Sequence, residues 1–134
     1  SIFVVFKGGG KVKDILNDGE LSCALFVSGV LTILGLLKES HATVATVRDD
    51  LIKNGWQLVT DETIESGDVI IWEEITFKDG SKNRHVGFAL NTSEAVSTDY
   101  INKFVARHHI TFGVNEDETP KRKIEVVFRL KNFS

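Results

Sequence analysis

The sequence predicts an α+β fold, with helices first and a curled antiparallel sheet packed on them. Three observations lead there. Phe26, Val27, Val30, Leu31, Leu34 and Leu37 recur at spacings of three and four, the signature of a helix with one buried stripe. From Trp56 onward the pattern becomes strand-like, in "WQLV", "GDVIIWEEITF", "RHVGFAL", "EAVST", "FVARHHITF" and "KIEVVFRL". Asp79-Gly80 between the second and third of these is a hairpin turn signal. Helices followed by a run of strands argue for α+β rather than alternating α/β. At 134 residues the chain is expected to form one domain, 1–134, large enough to bury a core without staples.

In chain order, "SIFVVF" at the start reads as a strand or extended arm, and "KGGGK" breaks it. Asn17-Asp18-Gly19 reads as a turn. The first helix is expected from Leu21 to Leu37, capped by Ser22 or Asp18. "TVRDDLIKNGW" reads as a second helix with Thr46 as N-cap, Asp49 three residues on, Leu51 and Ile52 facing inward, and Gly55 as the stop. No repeats, low-complexity segments or linkers are visible.

Composition narrows the function classes. A net charge of −3 gives no electrostatic footprint for nucleic acid. The acidic run Glu116-Asp117-Glu118 and the basic run Lys121-Arg122-Lys123 both read as solvated surface. A single cysteine makes no internal disulfide, which fits a reducing compartment, and the lack of a Cys-x-x-Cys pair gives no structural zinc site. No cofactor or metal is called for. The apolar run from Ala24 to Leu37 is interrupted and falls short of the ~18 residues of a membrane span. The chain opens at Ser1 and contains no methionine, so a removed leader or an upstream domain is compatible with it.

The only cysteine, Cys23, falls in the first turn of the expected helix. Unpaired N–H groups and the positive end of the helix dipole favour a thiolate there, and the same groups can hold an oxyanion. It also lies on the apolar stripe, where free cysteines commonly pack. A nucleophilic thiol needs a base. His41 sits in a polar loop with no obvious partner. His108 and His109 are adjacent on a strand and so point to opposite faces. His85 opens a strand just after a polar hairpin, where its side chain can reach a cleft.

Taken together, Cys23-Ala24-Leu25-Phe26-Val27, Gly67-Asp68-Val69-Ile70 and His85-Val86-Gly87-Phe88, in this order and after the glycine-rich entry Gly8-Gly9-Gly10, resemble the NlpC/P60 superfamily of papain-like cysteine peptidases and, more loosely, its CHAP amidase relatives. The resemblance covers residues 6 to 100. It implies that Cys23 attacks an amide carbonyl, that His85 takes the thiol proton and delivers it to the leaving amine, and that the N–H of Cys23 helps bind the oxyanion. The implied substrate is an amide in the peptide stems of bacterial cell wall, and no metal is required.

A third polar residue normally orients the histidine. Spacing puts it at Ser97, whose hydroxyl can bond an imidazole but carries no charge. Asp99, two residues on and on the same face, and His108 or His109 from the following strand remain open for the role. The family commonly has Asp-Cys-Ser-Gly at the nucleophile, whereas this chain has Ser22-Cys23-Ala24-Leu25, which bears on substrate positioning. The family is typically exported; this chain shows no signal for it. Two other functions stay in view: a non-catalytic module that binds a peptide or protein partner on the same fold, and a thioesterase or acyltransferase, which an apolar groove beside Cys23 would favour. Glu73 and Glu74 read as strand-end carboxylates, and Trp72 as core or cleft wall.

Overall fold

The structure, a computed structural model, describes residues 18–98 and 104–131. The strand expected at the start of the chain, Gly8-Gly9-Gly10 and Asp99 lie outside these residues. Two helices, α1 (Asp18–Ile33) and α2 (Val44–Lys53), precede six strands: β1 (Trp56–Leu58), β2 (Val69–Thr76), β3 (Lys82–Ala89), β4 (Glu94–Thr98), β5 (Val105–His109) and β6 (Ile124–Leu130). The strands form one sheet in the order β1-β6-β2-β3-β4-β5, with every pairing antiparallel. The fold is therefore α+β, helices first, as the order of periodicities predicts. Among the described residues no helix is long and apolar enough to cross a membrane.

Strand alternation splits the core in two. On the helix side, Cys23, Ala24, Val27 and Leu31 of α1 and Val47 and Leu51 of α2 pack on Val69, Ile71, Val86 and Phe128. On the far side, Ile70, Trp72, Ala89, Ala95, Ile110 and Val127 form a second cluster. At ~25 cal/mol per Å² of apolar surface, each fully buried Val, Leu or Ile contributes roughly 1.5–3 kcal/mol. Both faces thus stabilise the sheet.

The helix boundaries differ from the periodicity. α1 starts at Asp18, three residues before the expected Leu21, so Ser22 lies inside the helix and caps nothing. The chain leaves it at Ile33 because Gly35 turns with φ +76, and Leu36 and Leu37 donate back to the Leu31 carbonyl. Leu37 is buried outside the helix. α2 is capped by Thr43, whose hydroxyl accepts from the Thr46 N–H, and not by Thr46 itself. Leu51 faces the core as expected, but Ile52 is 55% exposed because it falls one position off the stripe.

The expected Gly67-Asp68 entry to β2 has a structural role. Gly67 takes φ +91, and Asp68 is buried with its carboxylate accepting from the Glu65 N–H and from Nε and Nη2 of Arg129 on β6. A partly buried bidentate pair of this kind fixes β2 against β6.

The junction of β3 and β4 positions the candidate site. Among the described residues their ladder carries the pairs Phe88–Val96 and Ala89–Ala95, and none of them pairs as a strand with the first half of β3 on that edge. Residues of α1 serve that edge instead. The Glu20 carboxylate accepts from the Arg84 N–H at 3.1 Å, and the Val86 N–H lies near enough to the Cys23 thiol to lower its pKa. The two amides sit two residues apart on the same edge of the strand.

Candidate active site

Along β3 the side chains alternate. Val86 faces α1 in the same cluster as Cys23, whereas His85 and Gly87 face Trp72 on the other side of the sheet. His85 is 8% exposed and its ring lies 5.4 Å from that of Trp72. Its Nε2 is 2.8 Å from the Ser97 hydroxyl on β4. Ser97, 1% exposed, is in turn 2.7 Å from Nε2 of His108 on β5. Two of the expected site residues, His85 and Ser97, thus meet directly, and His108 joins them through the hydroxyl.

Gly87 makes the approach possible. A Cβ there would stand 2.6 Å from the Val96 carbonyl oxygen, 2.8 Å from the Ser97 Cβ and 3.1 Å from the Trp72 ring. Only a residue without a side chain lets β4 come close enough for Ser97 to reach His85.

Aromatic rings enclose the imidazoles. Trp72 is fully buried, its indole N–H donates to the Ile110 carbonyl at 2.8 Å, and its ring contacts His85, His108 and Phe112. Phe112 stacks on His108 with centroids 4.0 Å apart and meets His85 edge-on at 5.7 Å. It does so from φ +63, a conformation few non-glycine residues adopt. His109 faces away, as strand alternation requires, and its Nδ1 accepts from the N–H groups of Thr111 and Gly113. His41 lies elsewhere and pairs with Asp50 at 2.7 Å.

Cys23 occupies the opposite side of β3. It is fully buried, and its thiol donates to the Glu20 carbonyl at 3.2 Å. No hydrogen bond joins it to His85. As the sixth residue of α1, it lies beyond the four N-terminal residues whose N–H groups a helix leaves unpaired. Its own N–H is therefore committed within the helix and is not the free oxyanion donor that a start at Leu21 implies.

The electrostatics follow from burial. Desolvation pushes the Cys23 thiol up to about 12, with the Glu20 carboxylate adding to the rise and the Val86 N–H and Arg122 opposing it. Desolvation, then Arg122, then His108 lower the His85 imidazole to about 3. Desolvation also lowers His108. Thiol and imidazoles are all neutral near pH 7.

Arg122 corrects a sequence expectation. It sits in the Lys121-Arg122-Lys123 run but is half-buried, with Nε and Nη2 donating to the Glu73 carbonyl and Nη2 to the Asn83 carbonyl. Its charge acts on both Cys23 and His85. Nothing in a Lys-Arg-Lys run marks the middle residue for burial; only the strand period, applied from Ile124 backward, hints that positions 122 and 124 share a face. Glu73 and Glu74 are both engaged, Glu73 with the Lys123 N–H and Glu74 with Arg84.

An apolar cleft of about 540 Å³ lies against the second half of α1, lined by Val30, Leu31, Leu34, Trp56, Phe88 and Leu130 among others. Cys23, His85 and Ser97 do not line it.

Two comparisons, with curated proteins and with solved structures, give no match. The family of bacteriophage peptidoglycan hydrolases called Amidase_5 matches residues 17–130, which spans both helices, all six strands and every residue of the site just described. This chain belongs to that bacteriophage peptidoglycan hydrolase family.

Proposed function

We propose that the protein cuts an amide bond in cell-wall peptides, with Cys23 as nucleophile, His85 as its base and Ser97 orienting the imidazole, in the manner of NlpC/P60-type cysteine peptidases. The observation that carries this reading is the 2.8 Å bond between His85 and Ser97, twelve residues apart and on neighbouring strands, in a chain whose family acts on peptidoglycan. In the reaction, His85 accepts the thiol proton as sulfur bonds to the carbonyl carbon. The tetrahedral adduct collapses, the C–N bond breaks, and the amine leaves with that proton. Water then cleaves the thioester and restores the thiol.

The buried thiol constrains how this happens. With Cys23 near 12 and His85 near 3, moving the proton between them in the closed state costs on the order of 12 kcal/mol. Burial thus holds the resting pair as neutral thiol and neutral imidazole in this conformation. The reaction requires the first turns of α1 to move off the β3 edge, so that the sulfur leaves Glu20 and Val86 and reaches both substrate and imidazole. That movement releases the Glu20–Arg84 bond and takes Leu21, Cys23 and Ala24 out of the core.

The sealed thiol also favours a second reading, in which Cys23 is packing and the domain binds cell-wall peptide without cutting it. One experiment separates the two. Purified wild-type protein is incubated with cell-wall sacculi, and newly exposed amino groups are counted. Cys23→Ala and His85→Ala are each expected to abolish release while keeping the wild-type circular dichroism spectrum. Full activity in either folded variant overturns the mechanism, and absence of release by the wild type with retained sacculus binding supports the binding module.

A further inference from the structure

His108 is more than a neighbour of the site. We infer that His108 is a positioning residue that acts through Ser97 to hold His85 in the tautomer with its proton on Nε2, leaving Nδ1 as the basic nitrogen. The protons along one hydrogen-bonded chain fix it. His108 Nδ1 lies 2.7 Å from the His109 carbonyl oxygen, which can only accept, so Nδ1 carries a proton. A neutral His108 then has a lone pair on Nε2. Ser97, 2.7 Å away, has one hydroxyl proton and must give it to that lone pair. Having donated, the Ser97 oxygen can only accept from His85 Nε2 at 2.8 Å, so that nitrogen carries His85's proton. Among the described residues nothing hydrogen-bonds to His85 Nδ1.

A serine alone does not fix the direction of its hydroxyl, because it can donate or accept equally well. The direction is set from the far end of the chain by a main-chain carbonyl, which cannot reverse. His108 transmits it. Its ring is held for this by the stacked Phe112 and by Trp72. The neutral state the count assumes agrees with the downward shifts of both imidazoles. Orientation of this kind matters to a base because the wrong tautomer presents an N–H where a lone pair is needed.

The inference bears on the base of the proposed reaction and rests on that reading for its catalytic meaning, but its test does not use activity. The full chain is labelled with ¹⁵N in its histidines, and the His85 nitrogens are assigned by comparison with His85→Gln at neutral pH. In the wild type, His85 is expected to show a protonated Nε2 and an unprotonated Nδ1. In His108→Ala the serine hydroxyl is free to turn, and the ratio of Nε2–H to Nδ1–H at His85 is expected to fall about fivefold, the bias that one ordinary hydrogen bond sustains. His108→Gln, which can offer an amide oxygen to Ser97, is expected to restore it. If His108→Ala does not fold, His108→Phe serves instead, which keeps a ring against Phe112 but offers Ser97 no lone pair, with the same loss expected. A wild-type His85 protonated on Nδ1, or an unchanged ratio in the folded His108 variant, overturns the inference. Sacculus hydrolysis by Cys23→Ala would defeat the mechanism above and leave this result standing.

Discussion

At the scale of single residues, the site depends on a glycine as much as on its polar groups. Gly87 stands where any Cβ meets the Val96 carbonyl and the Ser97 side chain well inside contact distance. Two of the three nearest atoms are backbone oxygen and a Cβ, which cannot rotate away. Gly87→Ala is therefore expected to destabilise the protein by about 1–3 kcal/mol, the usual range for overpacking, and to push β4 away from β3. Chemical denaturation measures the first effect. The second predicts loss of the His85–Ser97 bond, visible as altered His85 ring resonances in a protein that still folds. A variant with wild-type stability and unchanged resonances would show that β4 has room to spare. The histidine, valine and glycine of the "HVG" run thus divide the work: an imidazole on one face, core packing on the other, and a gap for the neighbouring strand. The resemblance, with the spacing to the next strand, pointed to the imidazole and Ser97 as neighbours, and the structure brings the two side chains within 2.8 Å. The sequence did not indicate that Val86, rather than His85, shares a face with Cys23, because alternation says which residues oppose each other but not which face the helix covers.

At the scale of elements, the informative contact is between α1 and the free edge of β3. There the Glu20 carboxylate accepts from the Arg84 N–H, and the Val86 N–H acts on the Cys23 thiol. Glu20 both anchors the helix and raises the thiol, through its carboxylate charge. Glu20→Gln keeps an oxygen acceptor for Arg84 and removes the charge. Its thiol is expected to titrate lower than the wild type's, and native Cys23 to alkylate faster with iodoacetamide, by a pH–rate profile on folded protein. Stability should change by no more than about 1 kcal/mol. An unaltered profile would mean that Glu20 does not govern access to the sulfur. The strands from Trp56 onward were legible because runs rich in β-branched and aromatic residues are separated by turn residues. The start of α1 was not. Apolar periodicity begins near Leu21, whereas the helix already includes Glu20, whose carboxylate bonds to a strand sixty-four positions away, a tertiary contact that no local pattern encodes. That three-residue difference moves Cys23 from the first turn to the second and removes its N–H from the oxyanion account. The buried Arg122 was hidden for a similar reason: its partners are carbonyls of Glu73 and Asn83, distant in the chain.

At the scale of the whole molecule, the same buried groups set how stability varies with pH, in opposite directions on the two sides of neutrality. His85 is lowered in the folded state, to about 3 from an ordinary 6.5, so below 6.5 the unfolded chain binds a proton that the folded chain refuses. Its contribution is complete above pH 6.5 and is lost as pH falls toward 3, on the order of 5 kcal/mol in all. His108, also lowered, loses stability in the same direction. Cys23 is raised, to about 12 from 9, so above pH 9 the unfolded chain releases a proton that the folded chain keeps. Its contribution is lost as pH rises from 9 toward 12, on the order of 4 kcal/mol. Stability is therefore expected to plateau between about pH 7 and 9 and to fall on both sides. Urea denaturation across this range tests it, and single variants assign each limb. Cys23→Ala, which removes the thiol and little volume, should flatten the alkaline fall and leave the acid one. His85→Gln, which stays neutral, should make the acid fall shallower, leaving the His108 share, and leave the alkaline one. A wild-type alkaline limb that persists unchanged in Cys23→Ala would mean that the sulfur is not sealed in solution, and that the open arrangement the reaction requires is already the resting one.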